Sequence, residues 1–242
     1  MRVLLGSGGF GTEERRSFLR QEMRTFFGEI ENIVFIPYAG YDYNLYLSRM
    51  KELGFDAGYN LLGIHNFDCP VAAIKEADAV YVGGGNTFRL IHSLREVTGL
   101  FDAIHERVSE GMPYMGVSAG SNVACPTMQT TNDMPIICPK NFRAFGFVPY
   151  QINAHYFEDQ VYCKEGDEYV EHFGETRQDR IREFHQHQAI PVVGLPEGGV
   201  IVHQLEKSIL RCGKAFLFEA DQTVREVEAG CDLLSELSLS PN

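Results

Sequence analysis

Five short apolar runs alternate with stretches of helical spacing over the first half of the chain, and this alternation limits the fold more than any other feature. Arg2-Val3-Leu4-Leu5 stops at Gly6, and Asn32-Ile33-Val34-Phe35-Ile36 stops at Pro37. Leu61-Leu62-Gly63-Ile64 is a third run; Ala79-Val80-Tyr81-Val82 closes on Gly83-Gly84-Gly85, and Pro113 to Val117 is the fifth. Between the first two, Phe18, Leu19, Met23, Phe26 and Phe27 fall near one face of a helix expected over 13–27. Further helices are expected over 43–53, 70–77, 87–97 and 100–110. Buried strands separated by amphipathic helices argue for an α/β fold, a mainly parallel sheet sandwiched between helices.

The pattern changes after Ser118. Residues 126–173 read as irregular, 176–188 as a helix and 190–194 as another buried strand. The runs Val200-Ile201-Val202 and Ala215-Phe216-Leu217-Phe218, around Gly213, suggest antiparallel strands added at the sheet edge. Neither a repeat nor a linker interrupts the chain, so its 242 residues read as one domain over 1–242.

The formal net charge is −12, with no basic run, which argues against nucleic-acid binding. An anionic substrate then needs a local cation to overcome the overall field. Six cysteines lie far apart with no C-x-x-C, as expected of reduced thiols. Neither a signal peptide nor a membrane span is apparent. A cytoplasmic protein, monomer or homodimer, is expected, without nucleic-acid or membrane partners.

Three motifs invite chemistry. Gly6-Ser7-Gly8-Gly9-Phe10-Gly11 fits G-x-G-x-x-G, but the acid that should hold a ribose is missing at the end of the second strand, so a plain glycine turn is the better reading. His185-Gln186-His187 puts two imidazoles at i and i+2, which diverge on a helix and make a poor metal site. Gly116-Val117-Ser118-Ala119-Gly120 sets a serine at a strand-to-helix turn, where its hydroxyl would stand clear of the sheet. Such a serine can also be a simple helix cap. Flanking glycines would permit the tight backbone and leave room for a substrate, and the Ala119 N–H could face an oxyanion. The 83–85 glycine turn, at the carboxyl end of the neighbouring strand, could supply a second N–H. His155 is the best-placed base, with Asp133 or Glu197 as the orienting carboxylate.

The blocks VGGGNTF (82–88), GVSAGSNVACPTMQTTNDMPI (116–136), QINAHYF (151–157), GETRQDRI (174–181) and VVGLPEG (192–198) together resemble the peptidase E family of aspartyl dipeptidases. The resemblance runs from the first strand to about residue 200. It implies a class I glutamine amidotransferase-like fold and hydrolysis of dipeptides with an N-terminal L-aspartate, without metal or cofactor. Ser118 would be the nucleophile, His155 the base, and Gly85 and Ala119 the oxyanion hole. The third member would be Asp133 or Glu197. Glu197 is favoured because the end of a core strand is a rigid support, leaving Asp133 for the substrate amino group. Arg177 would bind the aspartate carboxylate, although it could equally be a surface arginine paired with Glu175 or Asp179. Asn86 and Asn132 are further candidates for substrate binding. The 126–173 region would wall the site, and its 156–173 stretch is longer than expected of bacterial members.

Other readings stay open: a cyanophycinase-like β-aspartyl peptidase, a generic α/β-hydrolase, or a non-catalytic nucleotide-binding module.

Overall fold

The computed structural model describes residues 1–158, 161–171 and 174–239. The alternation in the first half becomes β1 (Arg2–Gly6), α1 (Glu13–Phe27), β2 (Asn32–Ile36), α2 (Tyr43–Glu52), β3 (Asn60–Gly63), α3 (Pro70–Glu76), β4 (Val80–Val82), α4 (Thr87–Glu96), α5 (Leu100–Ser109), β5 (Tyr114–Val117) and α6 (Ala119–Asn122). The second half adds β6 (Gln151–Ala154), β7 (Tyr162–Glu165), β8 (Glu168–Glu171), α7 (Arg177–His185) and β9 (Val192–Leu195). It closes with β10 (Val200–Gln204), β11 (Lys207–Cys212), β12 (Lys214–Phe218), β13 (Val224–Glu228) and α8 (Leu233–Glu236).

A seven-stranded sheet runs β11-β10-β1-β5-β4-β2-β3. Its β1, β5, β4, β2 and β3 are mutually parallel, as the helical crossovers require. Strands β10 and β11 extend it antiparallel at one edge. Successive residues of β1 feed opposite faces. Leu4 packs with Leu19, Met23 and Phe26 of α1, while Val3 and Leu5 face the core that holds Leu90, Leu94 and Ile104 of α4 and α5. Each fully buried side chain of this size stabilises the fold by about 1.5–3 kcal/mol. Both faces are therefore covered, and the strands can be continuously apolar.

A second, four-stranded sheet, β13-β12-β9-β6, departs from the single sheet expected. The run 215–218 lies in β12, which pairs antiparallel with β9 rather than at the edge of the main sheet. The chain changes sheets at Gly213, whose φ of 66° suits glycine between β11 and β12. The 126–173 region is also more ordered than its composition suggests. It contains β6, which pairs parallel with β9, and the β7–β8 hairpin. Strand β6 is hard to recognise because its buried Gln151 and Asn153 are polar. Asn153 Nδ2 donates to Thr130 O at 2.9 Å, which makes the burial tolerable. The hairpin has largely exposed strands and so carries no apolar signal. The stretch 156–173 includes residues 159, 160, 172 and 173, which lie outside the described residues.

Candidate active site

The 116–120 motif explains its own glycines. A Cβ on Gly116 would lie 2.4 Å from Gly120 O, and one on Gly120 would lie 2.2 Å from Val82 O. The two glycines therefore let α6 fold back against β5 and β4. Their space is filled by backbone, a different use from the room for substrate expected of them. Ser118 between them holds φ 55° and ψ −112°, a conformation costing on the order of 1–3 kcal/mol for a residue with a side chain. The surroundings fix it firmly. Ser118 N donates to Gly6 O at 2.9 Å, and Ser118 O accepts from Ser121 N at 2.9 Å and Asn122 N at 3.0 Å. The buried Ser121 hydroxyl bonds Gly6 O and Gly116 O at 2.8 and 2.9 Å.

Two other strand ends converge on this hydroxyl. Ala154 and Leu195 are paired in the parallel β6–β9 register, so His155 and the Pro196-Glu197 turn leave the second sheet side by side. His155 Nε2 lies 2.8 Å from Ser118 Oγ, and His155 Nδ1 lies 2.8 Å from Glu197 Oε1. Both side chains are partly open to solvent, at 38% and 45% exposure, so a ligand can reach them.

Ser7 was not singled out from the sequence, yet it joins both halves of this arrangement. Its fully buried hydroxyl donates to Leu195 O at 2.7 Å and accepts from His155 N at 2.8 Å. The signal was a lone hydroxyl inside a glycine turn, masked there by the dinucleotide-binding pattern. Gly8 and Gly9 of the same turn press against His155 and Glu197: added Cβ atoms would lie 2.4 Å from His155 Cε1 and 2.2 Å from Glu197 Oε2.

Gly85 adopts φ 130° with Ala39 O so close that a Cβ would lie 2.6 Å from it. Neither its N–H nor that of Ala119, the first residue of α6, finds an acceptor among the described residues. Asn86 next to it is fully engaged in architecture. Its Oδ1 caps α4 by accepting from Arg89 N at 3.0 Å, and its Nδ2 donates to Met134 O at 2.9 Å. Asn132 likewise braces the walls, donating to Ala154 O at 2.8 Å and accepting from Asn153 Nδ2 at 3.0 Å.

Asp133 does not reach His155; its Oδ2 accepts from the N–H and hydroxyl of Thr87 at 2.8 and 2.6 Å, at the start of α4. Its Oδ1 makes no hydrogen bond among the described residues. Arg177 opens α7, with its guanidinium 5.2 Å above the Phe157 ring. The suggested surface partners are taken: Glu175 pairs with Arg180 at 3.4 Å and Asp179 with Arg182 at 3.4 Å. Arg177 has no ion pair among the described residues, and its buried Nε lacks a hydrogen-bond partner. Burial and the nearby Arg180 charge lower its pKa, while Asp133 acts in the opposite direction.

Elsewhere, His185 Nε2 lies 3.1 Å from Ile190 O, bracing the end of α7. Among the described residues no group of three His, Cys, Asp or Glu side chains is disposed to hold a metal ion.

A strained serine at a strand end, an imidazole on its hydroxyl and a carboxylate on the imidazole, set on an α/β sheet, define a serine hydrolase. The sequence matches Peptidase family S51 over residues 3–210. The chain belongs to this peptidase family. It is 41% identical to a Streptomyces coelicolor peptidase E over 98% of this chain and 95% of that one. A Nostoc peptidase E is 44% identical over 82% and 79% of the two chains. A Drosophila melanogaster protein described as a probable alpha-aspartyl dipeptidase is 40% identical over 84% and 82%. The fold also matches a crystal structure from Listeria monocytogenes EGD-e, of a protein assigned to peptidase E. The TM-score is 0.64 and the identity 20%, over 87% of this chain and 97% of that one.

Proposed function

We propose that the protein hydrolyses dipeptides whose first residue is L-aspartate, through an acyl-enzyme on Ser118. The observation that carries this reading is the partly buried Arg177, which has no ion pair among the described residues, at a site otherwise suited to acyl transfer. A guanidinium held partly out of water with a buried, unbonded Nε carries a cost, and a carboxylate from the substrate relieves it. Arg177 stands over Phe157, two residues past His155, and senses the charge of Asp133, which is bound to Thr87 two residues past Gly85. These relations support a place for the cation beside the His155 wall, within reach of the Asp133 charge. The relatives named as peptidase E and alpha-aspartyl dipeptidase point the same way.

In this reading His155 takes the Ser118 proton as Oγ attacks the peptide carbonyl, while Glu197 holds the imidazole tautomer that presents Nε2 to the hydroxyl. The N–H groups of Gly85 and Ala119 receive the oxyanion, each worth roughly 3–4 kcal/mol of barrier. His155 then protonates the departing amine, and water releases aspartate from the ester. Asp133 Oδ1 receives the substrate ammonium. Asn86 and Asn132 position the walls. The six free cysteines suit a reducing compartment, and the cytoplasm is the proposed location.

The test is release of free aspartate from Asp-Leu, with Ala-Leu, Glu-Leu and β-Asp-Leu alongside and chelator present throughout. Cleavage of Asp-Leu alone, reduced on the order of 10⁶-fold by Ser118→Ala, is expected. Cleavage of β-Asp-Leu instead would move the protein to the β-aspartyl class. No cleavage of any dipeptide by the folded protein would refute the reading.

A further inference from the structure

A cavity of about 340 Å³ lies between the β1–α1 turn and α2, bounded by Gly8, Gly9 and Gly84 on one side and by Phe10, Met50, Phe55 and Tyr81 on the other. We propose that this cavity is the subsite for the leaving residue of the dipeptide: it receives an apolar side chain, and Arg49 at its wall binds the free C-terminal carboxylate. The inference rests on the Asp-dipeptide reading above and extends it to the second residue.

Three observations place the cavity on the leaving-group side. Its glycine wall adjoins the reacting groups: a Cβ on Gly84 would lie 3.0 Å from Ser118 Cβ, and one on Gly8 would lie 2.4 Å from His155 Cε1. His155 must deliver its proton to the departing amine from Nε2, and Cε1, the ring atom that Gly8 adjoins, is bonded to Nε2, so the glycine turn borders the path of the departing residue. The acyl side is found elsewhere. Asp133 is bound at the start of α4, whose apolar residues pack on the opposite face of the seven-stranded sheet from Phe10, Met50 and Tyr81.

The lining matches the chemistry of such a residue. It is mainly apolar and aromatic, and its size is at the small end of the roughly 300–1,000 Å³ of ligand pockets. The wall is also fixed, since the Tyr46 hydroxyl donates to Gly84 O at 3.0 Å. Arg49 is exposed on α2 and makes no ion pair among the described residues. In a chain of net charge −12, an arginine at the cavity wall with no ion pair among the described residues gives a free carboxylate a local attraction that the overall field does not. A longer peptide has no carboxylate at this position, so the same arginine favours dipeptides.

The test measures kcat/KM for Asp-Leu, Asp-Gly and Asp-Leu amide in the wild type, Met50→Trp and Arg49→Gln. Filling the cavity with Met50→Trp is expected to lower the Asp-Leu to Asp-Gly ratio by about tenfold or more. Arg49→Gln is expected to lower the Asp-Leu to Asp-Leu amide ratio by about tenfold or more. If Met50→Trp does not fold, Leu53→Asp, at a rim position 49% exposed, is expected to lower the Asp-Leu to Asp-Gly ratio in its place. Both ratios staying within about twofold of wild type in enzymes that still cleave Asp-Leu would overturn the proposal. Failure of the wild type to cleave any Asp dipeptide would instead overturn the parent reading, and this subsite with it.

Discussion

Ser7 and His155 lie 148 positions apart in the chain and share one short hydrogen bond, from the His155 N–H to the Ser7 hydroxyl oxygen at 2.8 Å. The same hydroxyl donates to Leu195 O, two residues before Glu197, so one buried side chain sets the spacing between the imidazole and its carboxylate.

Ser7→Ala leaves the His155 N–H without its partner and removes one of the two donors to Leu195 O, which keeps Tyr156 N at 3.1 Å, at about 1–3 kcal/mol of stability. The larger expected effect is on rate. A small displacement of His155 weakens proton transfer, so kcat should fall by about tenfold or more while KM for Asp-Leu changes little. Steady-state kinetics beside a thermal melt separate the two effects. Unchanged kcat in the variant would mean that Ser7 supports stability alone.

Glu197→Gln and Asp133→Asn distinguish the two candidate carboxylates. The amide at 197 can no longer accept from Nδ1 as a charged partner, and kcat should drop on the order of 10⁴-fold. Asp133→Asn removes charge from a group that does not contact His155, so KM for Asp-Leu should rise with a smaller loss of kcat. Single-turnover measurements with both variants would show the split; the reverse ranking would reassign the triad.

Arg177→Lys keeps a positive charge but loses the planar fork that two carboxylate oxygens require. The preference for Asp-Leu over Ala-Leu should fall by about tenfold or more, through loss of Asp-Leu cleavage. An unchanged preference would exclude Arg177 as the residue that selects aspartate.

Gly120→Ala tests the backbone origin of the serine turn. Its Cβ would meet Val82 O at 2.2 Å, a contact that backbone atoms cannot relieve by rotating. Overpacking of this kind costs about 1–3 kcal/mol or more, and each kcal/mol lowers Tm by about 2–4 °C in a chain of this length. Calorimetry on the purified variant checks it, and a Tm within one degree of wild type would contradict the packing argument.

The main sheet was legible because its strands are apolar on both sides and end at Gly6, Pro37 and Gly83. The 13–27 helix emerged with the bounds of α1, since its core face carries Leu19, Met23 and Phe26 while Thr12 caps its start. Ser118, His155 and Glu197 were legible as candidates because chemistry restricts which residue types can form such a chain. Their contact was not, because it depends on the Ala154–Leu195 register between strands separated by some forty residues. The second sheet stayed hidden for a related reason: the side-chain amide nitrogens of Gln151 and Asn153 donate to Thr127 and Thr130, which no local hydropathy pattern reveals. Ser7 was obscured because a glycine turn suggests a bound phosphate before it suggests a clamp on a distant backbone.

The hydroxyl of Ser118 extends from the seven-stranded sheet, whereas His155 and Glu197 extend from the four-stranded one. The proposed chemistry therefore belongs to a seam, and neither sheet carries it alone. A sliding of one sheet over the other by about an ångström would silence the enzyme with every strand still paired. Enzymatic competence in this chain is a gauge of how its two layers are aligned, and should fade under mild denaturant before the secondary structure does.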